Sequence, residues 1–500
     1  MAQEQQQSRS FNLKKCVIYS ADGTKNFDIK SLVGVFNYNE SIMSPFISGS
    51  IVIADSGGLY NDLPIQGFEK LEIEIQDVLQ KGPTKYTLYV WKVSNRIVQD
   101  KKQVYTLGLV SREALINEGV RVQTPLSGTS EAIIDKLLKN ELKTDKSFYS
   151  QNSEFSMKML PNRRRPFDIA SSLRNKTVPK AEKKSTTGST SSSSTTEELQ
   201  GTAGYFFWET VRGYMFFSVD ALCADVGEKA AAGNILPPWG PYRDFPANTD
   251  ASDPVFSILS AQFTSELDLF TNLRQGKYSS LMVFFNPSTG QYEEYQYNMS
   301  NTYGSREGLG SQETASYTEK EMGKYPTRIM SMILDHETWQ NKTDPGTPYE
   351  DSKNPSQYAD WQKHFMAQSL TRFSTLKNQK AVVVIPGNAQ ICAGDKINLE
   401  LRNKVADSEG TKKPFDEETS GVYLIEEVTH EYKQGKGAGG GLFTTTIRLM
   451  RDSYGMKDKP STHSSDKKDS KPSTPTGTKQ AGTVPGYQGA KKPWQNQYGV

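Results

Sequence analysis

The chain has 500 residues, which at roughly 150 per domain predicts about three domains. Its 39 Gly and 24 Pro are ordinary frequencies that exclude a collagen-like or low-complexity chain. With 59 Lys+Arg against 57 Asp+Glu, the formal charge of +2 lacks the phosphate-neutralising excess of a duplex-DNA binder. Hydrophobic residues make up only 35%, so either polar tails dilute the domains or their shells are thin enough to need partners.

Cys16, Cys223 and Cys392 lie far apart, which is neither a disulfide framework nor a Cys-x-x-Cys metal site. The first ten residues carry no apolar run of the secretory type, and nowhere do 18 consecutive apolar residues occur. The expectation is a soluble product of a reducing cytoplasm.

In chain order, β patterning comes first. Ser50–Ile53, Lys70–Ile75, Tyr86–Trp91 and Val104–Leu109 are short, alternating or β-branched, and separated by Gly, Pro and Asp turns. Thr129 to Leu142 has helical periodicity, with Ile133, Ile134, Leu137 and Leu138 on one face. Arg163-Arg164-Arg165 is the densest cationic run; it reads as a solvated loop or as a contact for an acidic partner surface. Residues 180–203 are rich in Ser and Thr and too polar to bury a core. Gly204 to Leu222 reads as an aromatic hairpin turning at Arg212-Gly213. A second helix is expected from Ala359 to Asn378, with Trp361, Phe365, Leu370, Phe373 and Leu376 inward. From Gly455 the chain is again polar, yet it closes on Val484, Tyr487, Trp494 and Tyr498. Aromatics at the end of such a tether suit an anchor on a neighbouring protein, Trp494 and Tyr498 above all.

The most informative feature is an internal repeat. Glu69-Lys70-Leu71-Glu72-Ile73-Glu74-Ile75 matches Asp395-Lys396-Ile397-Asn398-Leu399-Glu400-Leu401. Upstream, Ser50–Ile53 corresponds to Ala381–Ile385. Downstream, Leu88–Ser94 corresponds to Val422–Thr429 with a small offset, and Tyr105–Leu109 to Thr445–Leu449. Two related β modules, about 48–112 and 379–452, therefore flank a mixed α/β middle. The two-residue strand period puts Ile51, Ile53, Leu71, Ile73, Ile75 and Leu107 of the first module, and Val383, Ile397, Leu399 and Ile447 of the second, on candidate barrel or interface strands. Closed point groups dominate oligomers. Three copies of a two-module chain would make a ring of six similar modules, able to adapt a sixfold object to a threefold one.

Motifs of catalysis are weak. Gly435–Gly440 fits G-x-G-x-x-G but leads into Leu442–Ile447, a strand, whereas a dinucleotide site must open a helix. No Walker loop, G-x-S-x-G or H-E-x-x-H is present, and His336, His364, His430 and His463 never stand at ligand spacing. Glu417/Glu418 and Glu426/Glu427 are adjacent in sequence, which does not hold two carboxylates across a cleft. No catalytic residue, cofactor or metal is expected.

The segments Phe46–Asp55 leading into Leu63-Pro64-Ile65-Gln66-Gly67, the aromatic hairpin ending Arg212–Phe216, and Val384–Asn388 followed by Ala393–Ile397 occur in an order that resembles the baseplate central hub subunit of T-even-type contractile tailed phages. That family shares its fold with the base of the type VI secretion spike. The resemblance covers residues 10–453. It implies a mainly β chain with two tail-tube-like antiparallel β-barrels forming a trimeric, pseudo-hexameric ring. The expected domains are 1–113 (first barrel), 114–358 (α/β middle with the 180–203 insertion), 359–453 (helix and second barrel) and 454–500 (extended tail). The implied partners are two further copies of itself, a trimeric spike protein, the tail tube protein, wedge and tape measure proteins, and genomic DNA passing through the lumen without sequence-specific grip. The implied place is the virion tail baseplate, assembled in the host cytoplasm. The alternatives are a tail-associated cell-wall hydrolase, which a peptidoglycan zymogram separates from a hub, the equivalent hub of a contractile injection system, and a receptor-binding protein, which would bind a specific glycan.

Overall fold

The computed structural model describes residues 10–77, 82–100, 102–180, 203–224, 244–246, 258–265, 268–286, 291–299, 308–310, 321–333, 339–340, 367–401, 416, 418–435 and 441–455. The Ser/Thr stretch from Ser185 to Thr196, the first part of the 359–378 helix with Trp361 and Phe365, and the tail with Trp494 and Tyr498 lie outside the described residues.

The chain is mainly β. Six longer strands open it, β1 Ser10–Tyr19, β2 Val33–Ser41, β3 Ser48–Asp55, β4 Lys70–Asp77, β5 Thr84–Gln99 and β6 Lys102–Val110, with a three-residue strand Asn26–Asp28 paired to β1. A middle region follows with α1 Arg112–Gly119, α2 Ser130–Lys136, α3 Pro166–Arg174 and the hairpin β7 Tyr205–Thr210 and β8 Gly213–Ser218. After β9 Ser260–Ser265 comes helix α4 over 367–375. The chain then forms β10 Gln379–Pro386, β11 Lys396–Glu400, β12 Gly421–Lys433 and β13 Gly441–Arg451.

The repeat seen in sequence is a repeat of strand pairing. In the first module β3 pairs β6, β6 pairs β5, and β5 pairs β4, all antiparallel. In the second, β10 pairs β13, β13 pairs β12, and β12 pairs β11, again all antiparallel. The register agrees residue by residue. Ile51 and Val93 both oppose Leu107, as Val383 and Val428 both oppose Ile447. Leu71 opposes Leu88, and Ile397 opposes Tyr423; the small offset in sequence is thus one residue, with Leu88 standing where Tyr423 stands. Even the irregularity recurs: each long hairpin has a β-bulge at one place, between Val90 and Lys92 and between Ile425 and Glu427. A bulge adds one residue and sharpens local twist, so the two hairpins bend alike.

The acid of the shared acid-Lys-aliphatic motif has a structural cause. The Glu69 carboxylate accepts the backbone N–H of Gln66 at 2.7 Å, and the Asp395 carboxylate accepts that of Cys392 at 2.9 Å. Both acids are buried and hold the tight turn that delivers β4 and β11. At that turn Phe68 has φ 74 and Gly394 φ 90. Their N–H groups donate to the Val90 and Ile425 carbonyls at 2.8 and 3.0 Å. Gly394 must be glycine, because a Cβ there would stand 2.6 Å from Trp208 Cζ2.

The modules are continuous rather than separate bodies. Together they belong to one thirteen-stranded, largely antiparallel sheet. The far half of β12, Glu427 to Lys433, pairs β2, and the start of β13 pairs β1 at Ser10 and Phe11. Since β1 also pairs β4 and β2 pairs β3, the pairings run in a cycle: β1, β4, β5, β6, β3, β2, β12, β13 and back to β1. Tyr432 and Phe443 consequently pack in the first module's core with Phe36, Tyr38 and Tyr86, while Ile425, Ile447 and Leu449 pack in the second with Val383 and Leu399.

The hairpin β7–β8 is the plate between these parts. All twelve of its residues are buried, and strand alternation divides them. Tyr205, Phe207, Tyr214 and Phe216 face the core built on α2 and α3, whereas Phe206, Trp208, Met215 and Phe217 face Leu376, Leu424 and Met450. Its turn needs Gly213 (φ +132), where a Cβ would meet the Ser147 carbonyl oxygen at 2.4 Å. The first expected helix is present as α2 continuing into a π-helical turn, Leu137–Glu141, with Ile133, Ile134, Leu137 and Leu138 buried. Helix α4 leads into Leu376, buried as expected, and Phe373 packs against the same core, while Leu370 is only half-buried; the unexpected part is that Thr371, Arg372 and Thr375 are buried as well. The reason is an ion-pair cluster, since Arg372 pairs Asp220 at 2.8 Å and Asp452 at 2.7 Å, and a buried guanidinium is tolerated only when so matched.

Candidate assembly interface

Two places in the fold bear on function: the joint where the modules meet, and the strand edges they leave bare. The joint is built on β2, whose alternation puts Tyr38 and Glu40 on the buried parity. Glu40 accepts the Tyr38 hydroxyl at 2.6 Å, the Val211 N–H at 2.6 Å and the Ala393 N–H at 3.0 Å. One carboxylate therefore fastens the first module, the tip of the β7–β8 hairpin and the turn entering β11. Burial pushes its acid up to about 7, and those three donors, with the Arg212 charge, oppose the rise. Arg212, at the same hairpin tip, forks onto Asp395 at 2.8 and 2.9 Å and donates to the Gln390 carbonyl at 2.8 Å. Trp208 Nε1 donates to the Ala393 carbonyl at 3.0 Å. Bidentate, charge-assisted bonds of this kind fix orientation as well as supply energy. A second buried acid, Glu209, pairs Lys146 at 2.5 Å and accepts the Ile47 N–H at 3.2 Å; burial raises its acid above the usual range while Lys146 opposes this.

The outer edges of the two long hairpins differ. In β12, whose far half pairs β2, Val428, His430 and Tyr432 are buried. His430 donates to or accepts from Thr445 Oγ1 at 3.0 Å and stacks on Tyr38, and burial lowers its pKa to about 4. In β5, the equivalent half from Trp91 to Gln99 is mostly exposed, Trp91 by 54%, Ile97 by 64% and Val98 by 65%, with only Val93 and Ser94 half-buried. Among the described residues this edge pairs with no strand past Val90.

The ten strand residues singled out in sequence all lie inside the chain. Ile51, Ile53, Leu71, Ile73, Ile75 and Leu107 are in the first core; Val383, Ile397, Leu399 and Ile447 are in the second. They hold each module together. The joint residues Glu40, Arg212 and Asp395 were not singled out for this role. The signal present was an acid on the buried parity of a strand, two residues past Tyr38, together with the acid of the repeat. Of the cationic run, Arg165 pairs Glu118 at 2.9 Å and precedes Pro166 at the start of α3. Glu426 pairs Lys380 at 3.0 Å, and Glu427 pairs Arg448 at 3.4 Å, so each is matched by a cation and they form no catalytic pair with each other. Gly435–Gly440 joins β12 to β13, an antiparallel hairpin and not the start of a helix. Among the described residues no group of three His, Cys, Asp or Glu could hold a metal ion, and the three cysteines are free and buried.

No family model and no curated protein matches the chain. Solved structures similar to it are proteins of phage tails and of the type VI secretion system. A tail protein from Neisseria meningitidis MC58 is 11% identical with a TM-score of 0.46, over 89% of this chain and 97% of that one. The 43 kDa tail protein of prophage MuSo2 from Shewanella oneidensis is 9% identical with a TM-score of 0.45, over 88% and 98%. A component of the type VI secretion system from E. coli is 8% identical with a TM-score of 0.37, over 90% and 79%.

Proposed function

We propose that the chain is a structural hub subunit of a contractile phage tail or of an equivalent injection apparatus. Three copies form a ring; each contributes two tube-like barrels, so that the ring offers six similar modules to a hexameric tube and three identical faces to a trimeric spike, around a channel for DNA. The observation that carries this reading is the duplicated four-strand module, matched down to its bulge and its turn-holding acid. Within one chain the second module already grips the first by strand pairing, which is the kind of contact that a ring repeats. The resemblance of the sequence to the hub family supplies the partners. The role is structural and involves no catalysis.

Sedimentation equilibrium of the full chain, alone and with its spike protein, tests the reading. A mass of three chains, or three chains joined to one spike trimer, is expected. A monomer at every concentration that also ignores the spike would overturn it. The same preparation is expected to leave a peptidoglycan zymogram unmarked; clearing would favour the hydrolase.

A further inference from the structure

Because the modules are equivalent, the contact between them inside one chain is a template for the contact between chains. Within the chain the donor edge is the far half of β12, and the acceptor is β2. The first module has an equivalent donor edge, β5 from Lys92 to Gln99, since Lys92 and Val93 occupy the register positions of Glu427 and Val428. The second module has an equivalent acceptor. Strand β9 pairs β10 antiparallel with Ala261 opposite Val383, as β2 pairs β3 with Phe36 opposite Ile51. Among the described residues β9 pairs with no strand on its other edge, and Ser260, Ala261 and Gln262 are exposed.

We propose that β5 of one copy adds antiparallel to β9 of the next copy, reproducing between chains the β12–β2 junction inside each. The inference rests on the ring reading above and gives that ring its strands. Three features of the structure favour a second copy as the occupant. Donor and acceptor edges are on the same chain but on different modules, so the contact is head-to-tail, the geometry that closes rings. A bare strand edge carrying Trp91, Ile97 and Val98 is an open template for pairing, and strand addition satisfies it with backbone bonds. The covered counterpart shows the paired form: the far half of β12 is hydrogen-bonded to β2 from Glu427 to Lys433, and its alternate residues Val428, His430 and Tyr432 are buried.

The template also sets the register. Val98 faces Gln103 as Tyr432 faces Phe443, and Tyr432 pairs Phe36, the counterpart of Ala261. Val98 of one copy therefore opposes Ala261 of the next, with Ile97 opposite Gln262 and Gln99 opposite Ser260. Directly opposed residues in an antiparallel pair lie about 4.5–5.5 Å apart at Cα, within disulfide reach.

The full-length chain with Val98→Cys and Ala261→Cys together is expected to give, after mild oxidation, a ladder on a non-reducing gel that ends at three chains. Each single variant should stay uncrosslinked, and the natural cysteines are buried and should contribute no background. Val98→Lys, a change at an exposed position in the isolated chain, should keep the wild-type melting temperature and weaken assembly at least tenfold. An oligomeric wild type whose double-cysteine variant does not crosslink, or whose Val98→Cys variant crosslinks alone, would overturn the proposed edge and leave the ring reading standing. A wild type that never assembles and never crosslinks would overturn both.

Discussion

The far halves of β5 and β12 are built by the same rules and end in opposite states. Both follow a bulge at the same register, and both continue a hairpin beyond the strand that pairs its near half. In β12 the continuation is covered by β2, and its alternate residues are Val428, His430 and Tyr432, all buried. In β5 the outer edge of the continuation is unpaired among the described residues, and apart from the half-buried Val93 and Ser94 its residues are exposed. The contrast teaches that exposure here is set by whether a neighbouring strand lies alongside, not by the local rules of the strand. A second bulge between Ser94 and Ile97 shifts the parity of β5, which is why its apolar pair is Ile97-Val98 and not a clean alternation.

The modules can be set against each other by substitution. The largest effect is expected at the cores: Leu399→Asp places a charge in the wholly buried second core and should remove most of the roughly 5–15 kcal/mol that holds a domain. Leu107→Asp should do the same in the first. Loss of the cooperative melt by circular dichroism is the readout, and a folded variant at either position would break the placement.

At the turn the modules should respond differently. Gly394→Ala combines positive φ with a 2.6 Å approach to Trp208 and is expected to cost about 2–4 kcal/mol. Its counterpart Phe68 already carries a side chain at φ 74, so Phe68→Gly should be neutral or stabilise by up to about 1 kcal/mol. Urea unfolding of the two variants sharpens the comparison; equal costs would contradict it.

The paired acids give a smaller contrast. Glu69→Ala leaves two backbone N–H groups without their acceptor and should cost about 1–3 kcal/mol. Asp395→Ala also strands Arg212; with that side chain about a third exposed, a total of about 3 kcal/mol is expected, near the lower end for a broken buried pair. A smaller loss for Asp395→Ala than for Glu69→Ala would show that the hairpin tip does not bear on the second module.

The weakest effect is in pH. Glu40 titrates near 7 in the folded chain against the usual 4.5. The folded state thus keeps a proton that the unfolded state has released, and this group makes stability fall as pH rises from 4.5 to 7, by at most about 1.4 kcal/mol per pH unit. His430 acts in the opposite sense: the unfolded ring takes up a proton below 6.5 and the buried ring only near 4, so its contribution falls as pH drops from 6.5 to 4. The two oppose each other between 4.5 and 6.5. Glu40→Gln should uncover the histidine slope, with stability rising from pH 4 to 6.5 in urea titrations. Parallel profiles for parent and variant would show that folding leaves the proton affinity of Glu40 unchanged, contradicting the shift.

The repeat was legible because the motif that carries it has a local cause: an acid holding a turn, a lysine, then alternating aliphatics on a half-buried strand. The hairpin β7–β8 was legible from its aromatics. Strands β1 and β2 were harder to see. Bulges interrupt them between Leu13 and Lys15 and between Val33 and Val35, and a bulge breaks the two-residue period on which sequence reading depends. The burial of the polar face of α4 was not legible because it is organised by Arg372 with Asp220 and Asp452, residues far apart in the chain. The joint at Glu40 and Arg212 stayed hidden for the same reason, since Glu40 finds its partners 171 and 353 residues away.

Amide hydrogen exchange on the wild-type chain, dilute and assembled, tests the equivalence of the two edges most directly. The outward amides of β12 from Glu427 to Lys433 should be protected in both states, because β2 covers them within the chain. The outward amides of β5 from Lys92 to Gln99 and those of β9 should exchange fast in the dilute chain and become protected together on assembly. Protection of β5 in the dilute chain, or continued fast exchange in the assembled one, would contradict the claim that a second copy completes the edge.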